Sequence, residues 1–205
     1  MAKRQSKKTA GAARSGGGLK VGGGGDPLPP VAIIVSRYNA SITSELVMGA
    51  TREYVERGGL VENLSVYGAP GAYELPQLAL FAADSDRFAG VVALGCVIKG
   101  ETRHDRYISE AVSHGLMNVT LTTGVPCAFG LLTVDKPQQA KDRAGGSKGN
   151  KGAEAMGAVL ETIATVRHIF EGTDEGAVVV SKPGKPDKAK KSSAKAGVKK
   201  AGAKK

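Results

Sequence analysis

The chain has 205 residues, 41% hydrophobic and 23% charged, which suits one globular domain with a sizeable core and leaves little room for a second. Its longest apolar run, residues 91–98, is far short of the ~18–20 residues that cross a bilayer, and the basic N-terminus lacks the apolar stretch of a secretory signal. Two cysteines, Cys96 and Cys127, each inside an apolar run, exclude a disulfide framework and read as buried, reduced thiols of a cytoplasmic protein. The formal charge of +10 suggests a nucleic-acid or membrane partner, but it is unevenly spread. Residues 1–26 hold six Lys or Arg against Asp26, and residues 181–205 hold ten Lys against Asp187, so the ends carry +14 and residues 27–180 carry −4. Any basic binding surface therefore belongs to the tails, with no membrane role for the core.

Taken in chain order, residues 1–26 are Lys, Gly and Ala with almost no large apolar side chains, so a disordered basic tail is expected. A glycine run and Pro27, Pro29 and Pro30 then lead into the domain. Residues 31–36 (VAIIVS) are β-branched and apolar throughout, as in a strand buried on both faces. Residues 42–58 follow with helical spacing, Leu46, Val47, Ala50, Tyr54 and Val55 sharing a face before Gly58-Gly59 stops the run. Residues 63–69 form a second strand, 76–83 a short helix, 90–98 a third strand and 106–122 a helix with Ile108, Val112, Leu116 and Val119 in register. Residues 127–134 form a fourth strand, 137–144 a short helix opening on Pro137, and 151–170 a long final helix after a Gly-rich connection. Residues 176–205 form a second lysine-rich tail, leaving 27–175 as the domain. Alternating strands and helices predict an α/β fold: a four-stranded parallel sheet flanked by helices on both faces.

In such sheets ligands bind at the carboxyl ends of the strands. After the first strand come Tyr38 and Asn39, an aromatic ring that can stack on a flat heterocycle, although a Tyr packed on its own helix is the commoner fate. After the second comes Gly68-Ala69-Pro70-Gly71-Ala72-Tyr73-Glu74-Leu75-Pro76, a tight turn that presents amides and puts Glu74 at a helix start. There the carboxylate either serves the helix dipole or accepts hydrogen bonds from sugar hydroxyls. After the third comes the densest segment, Lys99-Gly100-Glu101-Thr102-Arg103-His104-Asp105. Thr102 suits a cap, the following amides suit a phosphate, and His104 falls in or beside the first helical turn as a candidate acid–base. His114 and His168 read as structural or solvated. Residues 145–152 (GGSKGNKG) look like a phosphate cradle, but they lack the P-loop spacing and do not follow a strand directly, so a P-loop nucleotidase is rejected.

The order of these segments is more specific than any one of them. RYNASIT, GAYELP, GCVIKGETRHDRYIS, PCAFGLLTVD and DRAGGSKGNKGAEA together resemble lumazine synthase over almost all of residues 31–170. The resemblance implies a flavodoxin-like three-layer sandwich that condenses 5-amino-6-(ribitylamino)uracil with 3,4-dihydroxy-2-butanone 4-phosphate, with no metal and no cofactor. It implies that Tyr38 stacks on the pyrimidine with Asn39 beside it, that Ala72, Tyr73 and Glu74 bind the ribityl chain, and that Val97 and Ile98 lie along the pyrimidine edge near Lys99. Gly100, Glu101 and Thr102 would meet the butanone phosphate, and His104 would transfer protons. Phe129, Arg143 and Lys151 would come from an adjacent subunit. It further implies pentamers, which in many bacteria close into icosahedral shells; Ser147 stands where a lysine is common in shell-forming members. The competing reading is a lumazine-synthase-like cage or scaffold whose basic tails bind nucleic acid or acidic cargo. A flavodoxin-like flavin binder is a third, without a redox motif of its own.

Overall fold

The computed structural model describes residues 27–172. The expected tails, 1–26 and 176–205, lie outside them. The elements run β1 (Val31–Ser36), α1 (Ala40–Glu56), β2 (Leu64–Ala69), α2 (Leu75–Asp84), β3 (Gly90–Ile98), α3 (His104–Thr123), β4 (Cys127–Val134), α4 (Pro137–Arg143), β5 (Ala144–Gly146), β6 (Gly149–Asn150) and α5 (Lys151–Glu171). A single 3-10 turn, Val61–Asn63, precedes β2, so the expected second strand starts one residue late.

The four long strands form one parallel sheet in the order β2-β1-β3-β4. Alternate side chains of β1 leave on opposite faces. Val31 and Ile33 join Leu46, Tyr54, Val92, Leu94, Met156 and Leu160 in an apolar layer under α1 and α5. Ala32 and Ile34 join Leu75, Val91, Ala93, Val112 and Leu116 in a second layer under α2 and α3. Because β1 and β3 are covered on both faces, nearly every residue in them is apolar and buried. The edge strand β2 is not covered in this way: Val66 and Tyr67 are exposed.

The stretch expected as a flexible Gly-rich connection is instead a short antiparallel hairpin, β5–β6, with Gly145 and Gly149 at positive φ (111° and 78°). Asn150 closes it. Its Oδ1 accepts from the Gly152 and Ala153 amides (2.8 and 3.2 Å), capping α5, while its Nδ2 donates to the Glu45 carbonyl of α1 (2.8 Å). The two helices meet so closely that a Cβ on Gly152 would overlap the Leu46 carbonyl, and one on Gly49 would overlap the Asn150 side chain. At the other end of the sheet Tyr54 is buried, and its hydroxyl donates to the Leu28 and Pro29 carbonyls (3.0 and 2.9 Å), pinning the entry to β1. The obstacle at Gly152 is backbone and cannot swing aside, so Gly152→Ala should destabilise the chain by roughly 1–3 kcal/mol or more. A shift in the urea unfolding midpoint at unchanged slope measures this.

Candidate active site

A cleft of about 490 Å³ opens at the carboxyl ends of β1, β2 and β3. Its first wall begins where β1 ends. The Arg37 amide donates to the Ala69 carbonyl (3.0 Å), which extends the pairing with β2. Asn39 then takes the left-handed conformation (φ 57°, ψ 46°), one that Asn tolerates better than most residues. Its carbonyl accepts from Ile42 and Thr43 (2.8 and 3.0 Å), which starts α1. Its side-chain Nδ2 donates to the Cys96 carbonyl on β3 (2.9 Å). Immediately before this clamp comes Tyr38, which is 72% exposed and lines the cleft.

The second wall is the turn after β2. Gly71 faces both Tyr38 and Glu74: a Cβ there would meet Glu74 Oε2 at 3.0 Å and the Tyr38 ring at 3.6 Å. A side chain at position 71 would fill the space between ring and carboxylate. Glu74 stands at the N-cap of α2, yet its side chain makes no capping hydrogen bond, so the carboxylate is left to the cleft. Ala72 and Tyr73 line the same wall.

The floor is Cys96, Val97 and Ile98 of β3, and the third wall is Gly100, Thr102, His104, Asp105 and Ile108. The α3 helix opens on His104 and has Arg103, not Thr102, at its N-cap; no side chain caps it. The first helical turns are closed by the Arg106 and Tyr107 amides donating to the Arg103 carbonyl (3.2 and 3.4 Å), so the amides before them stay outside the helical ladder. Burial pushes the Cys96 thiol up to about 11. It is therefore a neutral floor group, not a nucleophile. Cys127, half-buried, is shifted in the same direction by the same cause.

Five of the expected residues lie elsewhere. Lys99 and Glu101 are exposed just beyond β3, and Lys99 Nζ lies 3.8 Å from Asp135. Phe129 is exposed on β4. Arg143 and Lys151 line a separate cleft of about 250 Å³ beside β4, with Leu131, Leu132, Thr133, Val134, Lys148 and Glu154. The two clefts share no lining residue. One chain thus carries an aromatic, carboxylate and imidazole half on one side of β3, and a cationic half beside β4. Among the described residues no group of His, Cys, Asp and Glu is arranged to hold a metal, and no helix is long and apolar enough to cross a membrane.

Comparison with known proteins bears on this arrangement. Residues 29–167 match the family model described as 6,7-dimethyl-8-ribityllumazine synthase. The chain is similar to the 6,7-dimethyl-8-ribityllumazine synthase of Deinococcus deserti, at 48% identity over 138 residues, covering 67% of this chain and 88% of that protein. It is similar to 6,7-dimethyl-8-ribityllumazine synthase 1 of Caulobacter vibrioides, at 46% over 147 residues, covering 71% and 96%. The Deinococcus radiodurans enzyme of the same name is 44% identical over 138 residues, covering 67% and 89%. The chain belongs to the 6,7-dimethyl-8-ribityllumazine synthase family.

For this lumazine synthase family member, the first cleft brings together Tyr38, Asn39, Ala72, Tyr73, Glu74, Val97, Ile98, Gly100, Thr102 and His104, ten of the residues singled out in the sequence. It adds Gly71, Cys96, Asp105 and Ile108, which the sequence reading passed over. Gly71 was discoverable from its place in the turn. Ile108 carried only a core signal, because its helical spacing is that of a packed residue. With the thiol held to about 11 by burial, Cys96 stays protonated at pH 8. Iodoacetamide at pH 8 should leave Cys96 of the folded protein unlabelled, with labelling appearing on unfolding in urea; peptide mass mapping reads this directly.

Proposed function

We propose that this chain catalyses the condensation of 5-amino-6-(ribitylamino)uracil with 3,4-dihydroxy-2-butanone 4-phosphate to 6,7-dimethyl-8-ribityllumazine, a transferase step of riboflavin biosynthesis. The observation that carries the reading is the first cleft: an exposed Tyr38 ring, an uncapped Glu74 carboxylate and the His104 imidazole converge on one apolar β3 floor. The pyrimidine stacks on Tyr38, with its edge along Val97 and Ile98 and with Lys99 near. Ala72, Tyr73 and Glu74 take the ribityl chain, Glu74 accepting from its hydroxyls. Gly100 and Thr102 meet the sugar phosphate at the start of α3, with Glu101 contributing only its backbone amide, since free amides favour an anion. The 5-amino group of the pyrimidine attacks the ketone, and an imine forms as the carbonyl oxygen leaves as a first water. Phosphate then leaves, and the second amine closes the ring with loss of water. His104 takes up and returns the protons. Most of the acceleration is proximity, which supplies ~7–11 kcal/mol to such bimolecular steps.

The cationic half belongs to the same site, supplied by a neighbouring copy. Phe129 closes the pyrimidine pocket, Arg143 grips the phosphate and Lys151 supports the ribityl and phosphate region. The working unit is therefore a homo-oligomer, and we take it to be a pentamer or a pentamer-based icosahedral shell built from the 27–175 domain. Exposed Val66, Phe81, Met117 and Leu121 are apolar surface that assembly would cover. The free thiols Cys96 and Cys127 suit the reducing cytoplasm.

Mixing the purified protein with both substrates should produce lumazine fluorescence, and its absence would refute the assignment. His104→Ala should slow turnover by about 10²–10⁴-fold without abolishing it. Arg143→Ala should be more severe, because the phosphate loses a charge-assisted partner. If the two impaired variants are co-assembled at equal amounts, about a quarter of the seams unite two intact halves, and activity should rise to about a quarter of the wild-type level. No recovery would mean that each chain holds a complete site.

The tails support a second role. With +14 of charge concentrated in residues 1–26 and 181–205, a cage whose tails recruit nucleic acid or acidic cargo is compatible with the same enzyme. Full-length protein should then shift RNA or DNA in a salt-dependent manner, and the tail-trimmed domain should not.

A further inference from the structure

The cleft beside β4 is lined by three cationic side chains, Arg143, Lys148 and Lys151, and by one carboxylate, Glu154. Two of the cations are engaged inside the chain. Lys151 Nζ lies 2.8 Å from Glu154 Oε2, so an incoming anion has to compete with that carboxylate for it. Arg143 Nη1 donates to the Gln139 carbonyl of its own helix (3.2 Å), which uses one donor and leaves the rest of its fork. Among the described residues the Lys148 ammonium has neither ion pair nor hydrogen bond, so it is the unspent charge of the cleft.

The backbone beneath that charge is fixed. The Lys148 amide donates to the Asp142 carbonyl (2.7 Å), tying the β5–β6 turn to α4. Two residues on, Asn150 fastens the returning strand to both α5 and the Glu45 carbonyl of α1. The ammonium thus stands on an anchored turn, and an anion can recruit it without breaking an existing ion pair. A residue so placed differs from a solvated lysine on a loose loop, whose ordering would cost backbone as well as side-chain entropy.

We propose that Lys148 is a second phosphate-binding residue of the site, acting beside Arg143, and that Lys151 contributes little charge to phosphate capture. This rests on the reading of the cleft as the anion-binding half of the lumazine-forming site. Arg143 presents a planar fork suited to two phosphate oxygens, and Lys148 adds a mobile point charge that follows the phosphate as it leaves. Lys151, held by Glu154, is suited to a neutral hydrogen-bonding task on the ribityl side.

The test compares Lys148→Ala, Lys148→Arg and Lys151→Ala in the full-length protein. Steady-state kinetics give the KM of each substrate, and calorimetry gives the Kd of inorganic phosphate. Lys148→Ala should raise the KM for the butanone phosphate and the Kd of inorganic phosphate about tenfold, the usual scale for a lost charged hydrogen bond, leaving the KM for the ribityl-pyrimidine nearly unchanged. Lys148→Arg should restore most of both losses. The slope of log kcat/KM against log salt should flatten in Lys148→Ala, since one attractive charge is gone. Unchanged phosphate affinity in Lys148→Ala overturns the proposal, and so does a larger phosphate loss in Lys151→Ala. If the wild-type protein forms no lumazine, the reading of the reaction fails, and the Kd comparison with inorganic phosphate still decides the role of Lys148.

Discussion

Two strands buried on both faces govern this molecule. β1 and β3 are covered by α1 and α5 on one side and by α2 and α3 on the other, so they carry almost no polar side chains along their length. A charge placed there would meet a desolvation cost of several kcal/mol without a partner. Chemistry is thereby expelled to two places, the carboxyl ends of the strands and the uncovered border beside β4. The candidate site occupies both, in two separate clefts.

Each cleft is held by an asparagine that does two jobs. Asn39 begins α1 from a left-handed backbone and fastens its side chain to β3, which fixes where Tyr38 stands. Asn150 caps α5 and fastens its side chain to α1, which fixes the hairpin that carries Lys148. Both use a short amide side chain to bridge an element start to a distant carbonyl, a task for which Asp lacks the donor and Gln carries an extra rotatable bond. Both clamps act on α1, Asn39 at its start and Asn150 on its Glu45 carbonyl, so the two clefts are set relative to one another through that helix.

Much of this was legible in the residues. Period and composition located all four long strands, because doubly buried strands leave continuous β-branched runs such as VAIIVS and GVVALGCVI. The start of α3 was harder. Thr102 looked like a cap by residue type, but the chain turns one residue later and Arg103 takes that place without a side-chain bond. The segment at 145–150 read only as a Gly-rich connection, because its glycines give no periodicity. Its order comes from Asn150 and from the close approach of α1 to α5, a tertiary contact that no local window contains. Arg143 and Lys151 were named only by the resemblance to the family. That they share a cleft with Lys148, and that Glu154 pairs with one of them, required the geometry.

The pinning of Leu28 and Pro29 by Tyr54 has a consequence for handling the protein. Those carbonyls lie at the amino ends of the strands, and α5 also heads there, its Ile163 packing against Ala89 beside the start of β3. The first and last described residues therefore leave the domain at the pole opposite the Tyr38–His104 cleft. A group attached at Pro27 or Gly172 thus starts from the far pole and not beside the mouth of that cleft.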